Sequence, residues 1–235
     1  MKRKAKWLGT PIHVISQLLI SITSYIFKPF TRREKNAVRE YWSSIYSGDY
    51  RDNYIYDGKT KHYYDDITKI IPLISCANQR TIIDLCCGNG SFYYWCQENQ
   101  IPIKNYYGID FSITNTVLSE NACLKNGNIL DYVAEKDDII IVSNGCCYLD
   151  DMDFCLLTSN ISKCSDIIVI EPIPSVFWDA QFAHIHLYYR SSQKIINHFN
   201  SLGFHCKYVS TDYMIKIVNM FIFPLKATYY FQKSS

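Results

Sequence analysis

Two stretches constrain the fold of this chain more than any other feature: "DIIIVS" at 138–143 and "DIIVIE" at 166–171. Each is a run of β-branched residues with no polar residue alternating through it. A strand with one wet face shows apolar and polar residues in turn. A run that stays apolar is a strand covered on both faces, as in a parallel sheet flanked by helices. A shorter run of the same kind opens "TIIDLCCGNGSFYYW" at 81–95. From there the chain alternates: helix-like to about 100, strand at 104–110, helix at 112–120 with Ser112 as N-cap, weak strand at 123–128. Beyond the 138–144 strand the pattern predicts a helix at 151–163, a strand at 166–172, a helix over 188–201, and strands at 204–210 and 227–232. The expectation is an α/β, Rossmann-like, seven-stranded, mostly parallel sheet with helices on both faces. In such a sheet ligands bind outside the carboxyl ends of the strands.

With 235 residues, 48% of them apolar, the chain can bury a full core. A net charge of +2 argues against general nucleic-acid binding, although basic residues gather at Lys2, Arg3, Lys4, Lys6, Lys28, Arg32, Arg33 and Lys35. The ten cysteines read as small buried hydrophobes in a reducing cytoplasm: the chain is large, and no C-x-x-C occurs. The sequence divides into a helical, Tyr-rich cap at 1–74 and a ligand-binding domain at 75–235. In the cap, an amphipathic helix covers about 10–27, a second helix 33–47, and a tyrosine-dense loop at 48–66 is placed to fold over a site. The first helix fits against the domain, or on a membrane surface through residues 10–30 with its basic flanks. A span is the third reading, although the apolar part at 12–27 falls short of the ~20 residues a bilayer asks for.

The turn after residues 81–85 lies between a strand and a helix and carries Gly88, Asn89 and Gly90. A dinucleotide fingerprint would need a third glycine where Tyr93 stands, so two glycines alone are a weak signal. Asp84 decides more, because a carboxylate just before the loop repels a pyrophosphate and suits a ligand bearing an ammonium group. Here the sequence resembles a family: "DLCCGNG" followed by "GIDFS" is similar to motifs I and II of the class I S-adenosylmethionine-dependent methyltransferases. The resemblance covers about 75–210 and implies S-adenosyl-L-methionine as cofactor. It places Asp84, Cys86, Gly88, Asn89 and Gly90 around the methionine end, and Asp110, Phe111 and Ser112 at the ribose. "NGNILDY" (Asn128, Ile129, Asp131) falls at the adenine, and Ser143 and Asn144 at the exit of the fourth strand. A carboxylate that chelates two vicinal hydroxyls makes two charge-assisted hydrogen bonds, which suits Asp110. The "CC" before Gly88 (Cys86 and Cys87) departs from the family, where many members carry a glycine.

Candidates for chemistry follow the fifth strand, in "PSVFWDAQFAHIHLYYR" at 174–190. His186, with His184 two residues before it, is the preferred general base for a hydroxyl acceptor. Tyr148 is a pocket candidate, and Phe177 and Trp178 would wall an apolar acceptor. His-x-His also suggests a metal, but no third ligand stands at a convincing spacing, so no metal is expected. The leading expectation is methyl transfer to a small molecule, apolar or a sugar, on oxygen rather than nitrogen or carbon. Two alternatives remain: a methyltransferase of RNA or protein, and a non-catalytic partner protein of the same fold. The first loses weight because "SNGC" after the fourth strand lacks the [DNS]-P-P-[YFW] of amino-methylating nucleic-acid enzymes, and no specific nucleic acid is expected.

Overall fold

The computed structural model describes residues 63–171, 180–182, 187–213 and 224–234. The two Ile/Val runs are its central strands, β5 (Asp138–Ser143) and β6 (Asp166–Glu171), and every residue of both is buried. Their lack of alternation has a direct cause. Ile139, Ile141, Ile168 and Ile170 meet one layer, with Tyr64, Ile67, Phe92 and Trp95. Ile140, Val142, Ile167 and Val169 meet the other, with Phe154, Leu157, Ile195 and Phe199. The first layer is α1 (Ile67–Ile70) and α2 (Ser91–Glu98); the second is α3 (Asp151–Ile161) and α4 (Ser192–Ser201). Asp150 caps α3 by accepting from the Asp153 N–H at 2.9 Å, with Asp151 and Asp153 in the first turn where the helix dipole favours them.

The remaining strands are β1 (Thr81–Leu85), β2 (Asn105–Asp110), β3 (Thr116–Ser119), β4 (Ala122–Asn126), β9 (Phe204–Tyr213) and β10 (Pro224–Lys233). The sheet order is β3-β4-β2-β1-β5-β6-β10-β9. β4, β2, β1, β5 and β6 are mutually parallel; β10 runs antiparallel between β6 and β9, and β3 antiparallel on β4. A separate pair, β7 (Ala180–Phe182) and β8 (Leu187–Tyr189), lies outside this sheet.

Two sequence expectations change here. The sheet has eight strands rather than seven, and residues 112–120 form no helix; the extra strand, β3, occupies the end of that segment. Asn126 explains the switch. Its amide donates to the carbonyls of Phe111 and Ile113 at 2.9 and 2.6 Å, and its N–H is taken by Asn115 Oδ1 at 2.7 Å. Those carbonyls are therefore occupied by a side chain, and β-branched Thr114, Thr116 and Val117 favour the extended form. The helix expected at 188–201 starts at Ser192, after β8.

Ile67, Ile70 and Ile74 lie before the expected boundary at 74/75, yet they are buried in the same core as Ile82 and Ile139. The helices expected at 10–27 and 33–47, and the tyrosine-dense loop up to residue 62, lie outside the described residues. Among the described residues no helix is long and apolar enough to cross a membrane. Cysteine burial is uneven: Cys87, Cys96, Cys146, Cys147 and Cys164 are buried, while Cys76 and Cys155 are exposed, against the expectation for those two.

Candidate active site

The glycine turn sits where β1 ends and α2 begins, beside the carboxyl ends of β2 and β5. Its course is set by backbone bonds: the N–H groups of Cys86 and Cys87 both reach Ile109 O, and Gly90 N reaches Cys87 O. Gly88 and Gly90 take φ of 51° and 78°, which glycine adopts without a steric penalty. Cys86 takes φ 66° although it has a side chain. The departure from glycine seen in the sequence is thus a residue held in the left-handed region, at a cost of about 1 kcal/mol or more. Its thiol lies against Gly145: a Cβ added there would stand 2.7 Å from Cys86 Sγ and 3.0 Å from Val142 Cγ1. The two positions are complementary. Gly145→Ala is expected to destabilise the protein by about 1–3 kcal/mol, and Cys86→Gly in the same chain to recover at least half of that, as measured by a double-mutant cycle in urea.

Two carboxylates flank the turn. Asp84, at 1% exposure, accepts the Tyr106 hydroxyl at 2.6 Å on Oδ2, while Oδ1 is buried with no hydrogen-bond partner. Burial pushes its pKa up to about 7; the Tyr106 bond opposes the rise and the nearby Asp110 charge adds to it. Asp110 accepts Gly88 N at 3.1 Å on Oδ2, and both Ser112 N at 2.9 Å and Ser112 Oγ at 2.5 Å on Oδ1. A carboxylate offers about four acceptor sites, so one remains, on Oδ2.

The other sequence candidates spread around this pair. Ser143 ends β5, with its hydroxyl 3.4 Å from the Tyr63 hydroxyl, and Asn144 follows, exposed, with φ 52°. Asn128 caps a 3₁₀ turn (Ile129–Asp131) by accepting Leu130 N at 3.1 Å, which leaves Ile129 in the core and Asp131 exposed. Phe111 and Asn89 are half-buried beside the turn, and Tyr148 is half-buried at the end of a 3₁₀ turn (Cys146–Tyr148). His184, His186, Phe177 and Trp178 lie outside the described residues. Among the described residues no three His, Cys, Asp or Glu side chains gather as metal ligands do.

Several residues join the site that local sequence pattern did not single out. Glu171, 2% exposed at the end of β6, accepts Cys146 N at 2.7 Å and Cys147 N at 3.1 Å, one on each oxygen. Burial pushes its pKa up to about 7 against the pull of those N–H groups. Arg190, 3% exposed, donates to the carbonyls of Cys146 and Leu149 at 2.8 Å each and to Asp151 Oδ1 at 3.0 Å, and lies 4.2 Å from the Phe154 ring centroid. Glu171 and Arg190 therefore grip the segment after β5 from both its N–H and its C=O side. At the front, Lys226 holds Tyr63 O at 2.6 Å and Tyr64 Oη lies 3.3 Å from Ser91 Oγ. These bonds bring the described end of the tyrosine-dense stretch onto the site. Asp84 is legible as an acidic residue just before the glycine turn, and Glu171, an acidic residue closing an apolar run, was equally visible.

No family model matches the sequence, and no curated protein sequence matches it. Solved structures do match. A 1,6-didemethyltoxoflavin-N1-methyltransferase from Burkholderia thailandensis, with bound 1,6-didemethyltoxoflavin and S-adenosylhomocysteine, is 10% identical with a TM-score of 0.62, over 85% of this chain and 88% of that one. The magnesium protoporphyrin IX methyltransferase of Synechocystis PCC 6803, with bound SAH, is 14% identical with a TM-score of 0.56, over 85% and 99%. An S-adenosylmethionine-dependent methyltransferase from Mesorhizobium loti is 12% identical with a TM-score of 0.54, over 72% and 97%. The chain therefore has the class I S-adenosylmethionine-dependent methyltransferase fold.

Proposed function

We propose that the chain is an S-adenosylmethionine-dependent methyltransferase whose acceptor is a small molecule methylated on a hydroxyl. The observation that carries this reading is the pair of acidic side chains flanking the Gly88–Gly90 turn, one with an unpartnered oxygen and the other with one acceptor site free. The residues present fit the cofactor. Asp84 Oδ1 would take its ammonium group, and Asp110 Oδ2 one ribose hydroxyl. The second hydroxyl finds its acceptor at Asp110 Oδ1 once the Ser112 hydroxyl turns away. Asn128, or Asp131 as the alternative, would serve the adenine amino group, and Cys86, Asn89, Ser143 and Asn144 would border the methionine end. Because Asp84 is sealed, binding includes an outward movement of the Tyr63–Tyr64 segment beside it. When bound, S-adenosylmethionine supplies an activated methyl group on a sulfonium.

The protein's own task is then alignment of the acceptor, which contributes up to roughly 7–11 kcal/mol in ideal cases. The small-molecule part of the reading draws support from two of the matched structures, whose names specify a didemethyltoxoflavin and a magnesium protoporphyrin. His186 is the proposed base, with His184, two residues earlier in sequence, as the second candidate and Tyr148 as a pocket candidate. Calorimetry with S-adenosylhomocysteine, followed by incubation with methyl-labelled cofactor and lysate fractions, tests this. Expected are micromolar binding, label in the small-molecule fraction, and a fall of about 10²–10⁴-fold in kcat for His186→Ala at unchanged cofactor affinity. No binding at millimolar ligand would sink the reading. Label confined to RNA or protein would replace the acceptor class.

A further inference from the structure

At the amino ends of the parallel strands lies a second site. β1 is five residues long, so at about 3.3 Å per residue this end of the sheet is roughly 16 Å from the glycine turn. A cleft of about 660 Å³ opens there, and its cationic lining is Arg80, Lys136, Lys163, Lys207 and Lys233, with His205 beside them. Its single acidic lining residue is Asp166. That carboxylate is already spent: Arg80 Nη1 and Ser165 Oγ reach Oδ2 at 2.6 and 2.8 Å, and the Tyr230 hydroxyl reaches Oδ1 at 2.6 Å. Arg80 is equally committed, since it also donates to the carbonyls of Asp137 and Asp138. These two residues cancel and form the floor.

Four lysines remain unbalanced. Lys233 is positioned by Ser162 O and by the face of Phe204, 5.3 Å from its ring centroid, and an ammonium with three protons keeps some to give. Lys136, Lys163 and Lys207 are exposed, and among the described residues no carboxylate forms an ion pair with them. A chain of net charge +2 has thus gathered around one concavity four lysines that have no ion-pair partner among the described residues, on elements (the approaches to β5 and β6, then β9 and β10) that a rigid sheet holds together.

We propose that this cleft binds closely spaced phosphate groups. The chemistry follows from the lining: ammonium groups and one imidazole, with no Phe, Tyr or Trp among the lining residues, so that phosphates are read more than bases. Two sources offer it, a single-stranded nucleic acid and a soluble polyphosphate. Binding is salt-dependent. Three or four lysine–phosphate contacts on a single strand give a slope of log K against log salt of about −2 to −3.

The test uses the full chain and two probes, a fluorescein-labelled single-stranded RNA 12-mer by anisotropy and tripolyphosphate by calorimetry, each at 50 and 200 mM KCl. Expected is binding of at least one probe, weakened tenfold or more by Lys163→Glu with Lys207→Glu, and unchanged by Lys125→Glu on β4 near the other end of the sheet. RNA alone binding assigns the strand as the source, and tripolyphosphate binding assigns the soluble ligand. Neither probe binding at 50 mM KCl, or equal affinity in the double variant and wild type, or equal loss with Lys125→Glu, overturns the proposal. S-adenosylhomocysteine binding measured on the same double variant keeps this outcome separate from that of the methyltransferase reading.

Discussion

Asp84→Asn is expected to weaken S-adenosylhomocysteine binding at least a hundredfold at pH 8 while leaving the melting temperature there unchanged or raised. The two effects part because of burial. In the protein without ligand, a carboxylate at 1% exposure with one oxygen unpartnered is an electrostatic liability, and its pKa stands near 7 rather than in the ordinary range around 4. The native state therefore holds a proton that the unfolded chain has released. Stability attributable to Asp84 is full below the unfolded value and is lost as pH rises from about 4 to about 7. Asn keeps an oxygen for the Tyr106 hydroxyl and carries no charge, so above pH 7 it removes the penalty. Once an ammonium group arrives, the same charge turns from cost to grip, and breaking a buried charged contact costs about 2–5 kcal/mol. In the wild type, affinity should fall by up to about tenfold per pH unit below 7, as Asp84 takes up its proton. In Asp84→Asn that dependence should vanish. Calorimetry across pH 6–8, paired with thermal denaturation at pH 8, reads both. An equal fall in affinity and melting temperature would return Asp84 to a purely structural role.

Arg190→Met is expected to lower the melting temperature by about 6–20 °C. Its guanidinium satisfies two buried carbonyls, those of Cys146 and Leu149, and pairs with Asp151 across the ring of Phe154. Methionine fills the volume but leaves both carbonyls unpaired, a loss of about 3–5 kcal/mol, and each kcal/mol is worth roughly 2–4 °C in a chain of this size. Arg190→Lys should recover only part of it, because one ammonium cannot reproduce a planar fork. Differential scanning calorimetry of the three proteins decides this, and a fall under about 2 °C for methionine would show that the segment after β5 is held by other bonds.

Much of the fold was legible because its central strands state their environment at every position: in β5 and β6 each side chain meets a covered face, and the sequence shows no polar interruption. The glycine turn and Asp110 were legible for a related reason, since turn geometry and a strand-ending carboxylate are local features. What escaped depends on partners distant in sequence. β3 replaces a helix because the Asn126 amide reaches back to Phe111 and Ile113, a bond that no window over 112–120 contains. Arg190 meets carbonyls 41 and 44 residues earlier, and Glu171 meets N–H groups 25 and 24 residues earlier. Backbone acceptors and donors carry no sequence signature. Cys86 sits between the two cases. Its departure from glycine was visible in the sequence, but the space that Gly145 leaves for it was not.

The antiparallel position of β10 bears on how the chain is made. Residues 224–233 come later in sequence than both strands they join, β6 and β9. A ribosome delivering about 5–20 residues per second thus exposes the β6 edge for several seconds before its partner emerges. That edge carries the apolar run at 167–170 between Asp166 and Glu171, the kind of surface that recruits foreign strands. During synthesis, the hazard of misassociation is concentrated in this interval and closes when the last insertion is complete.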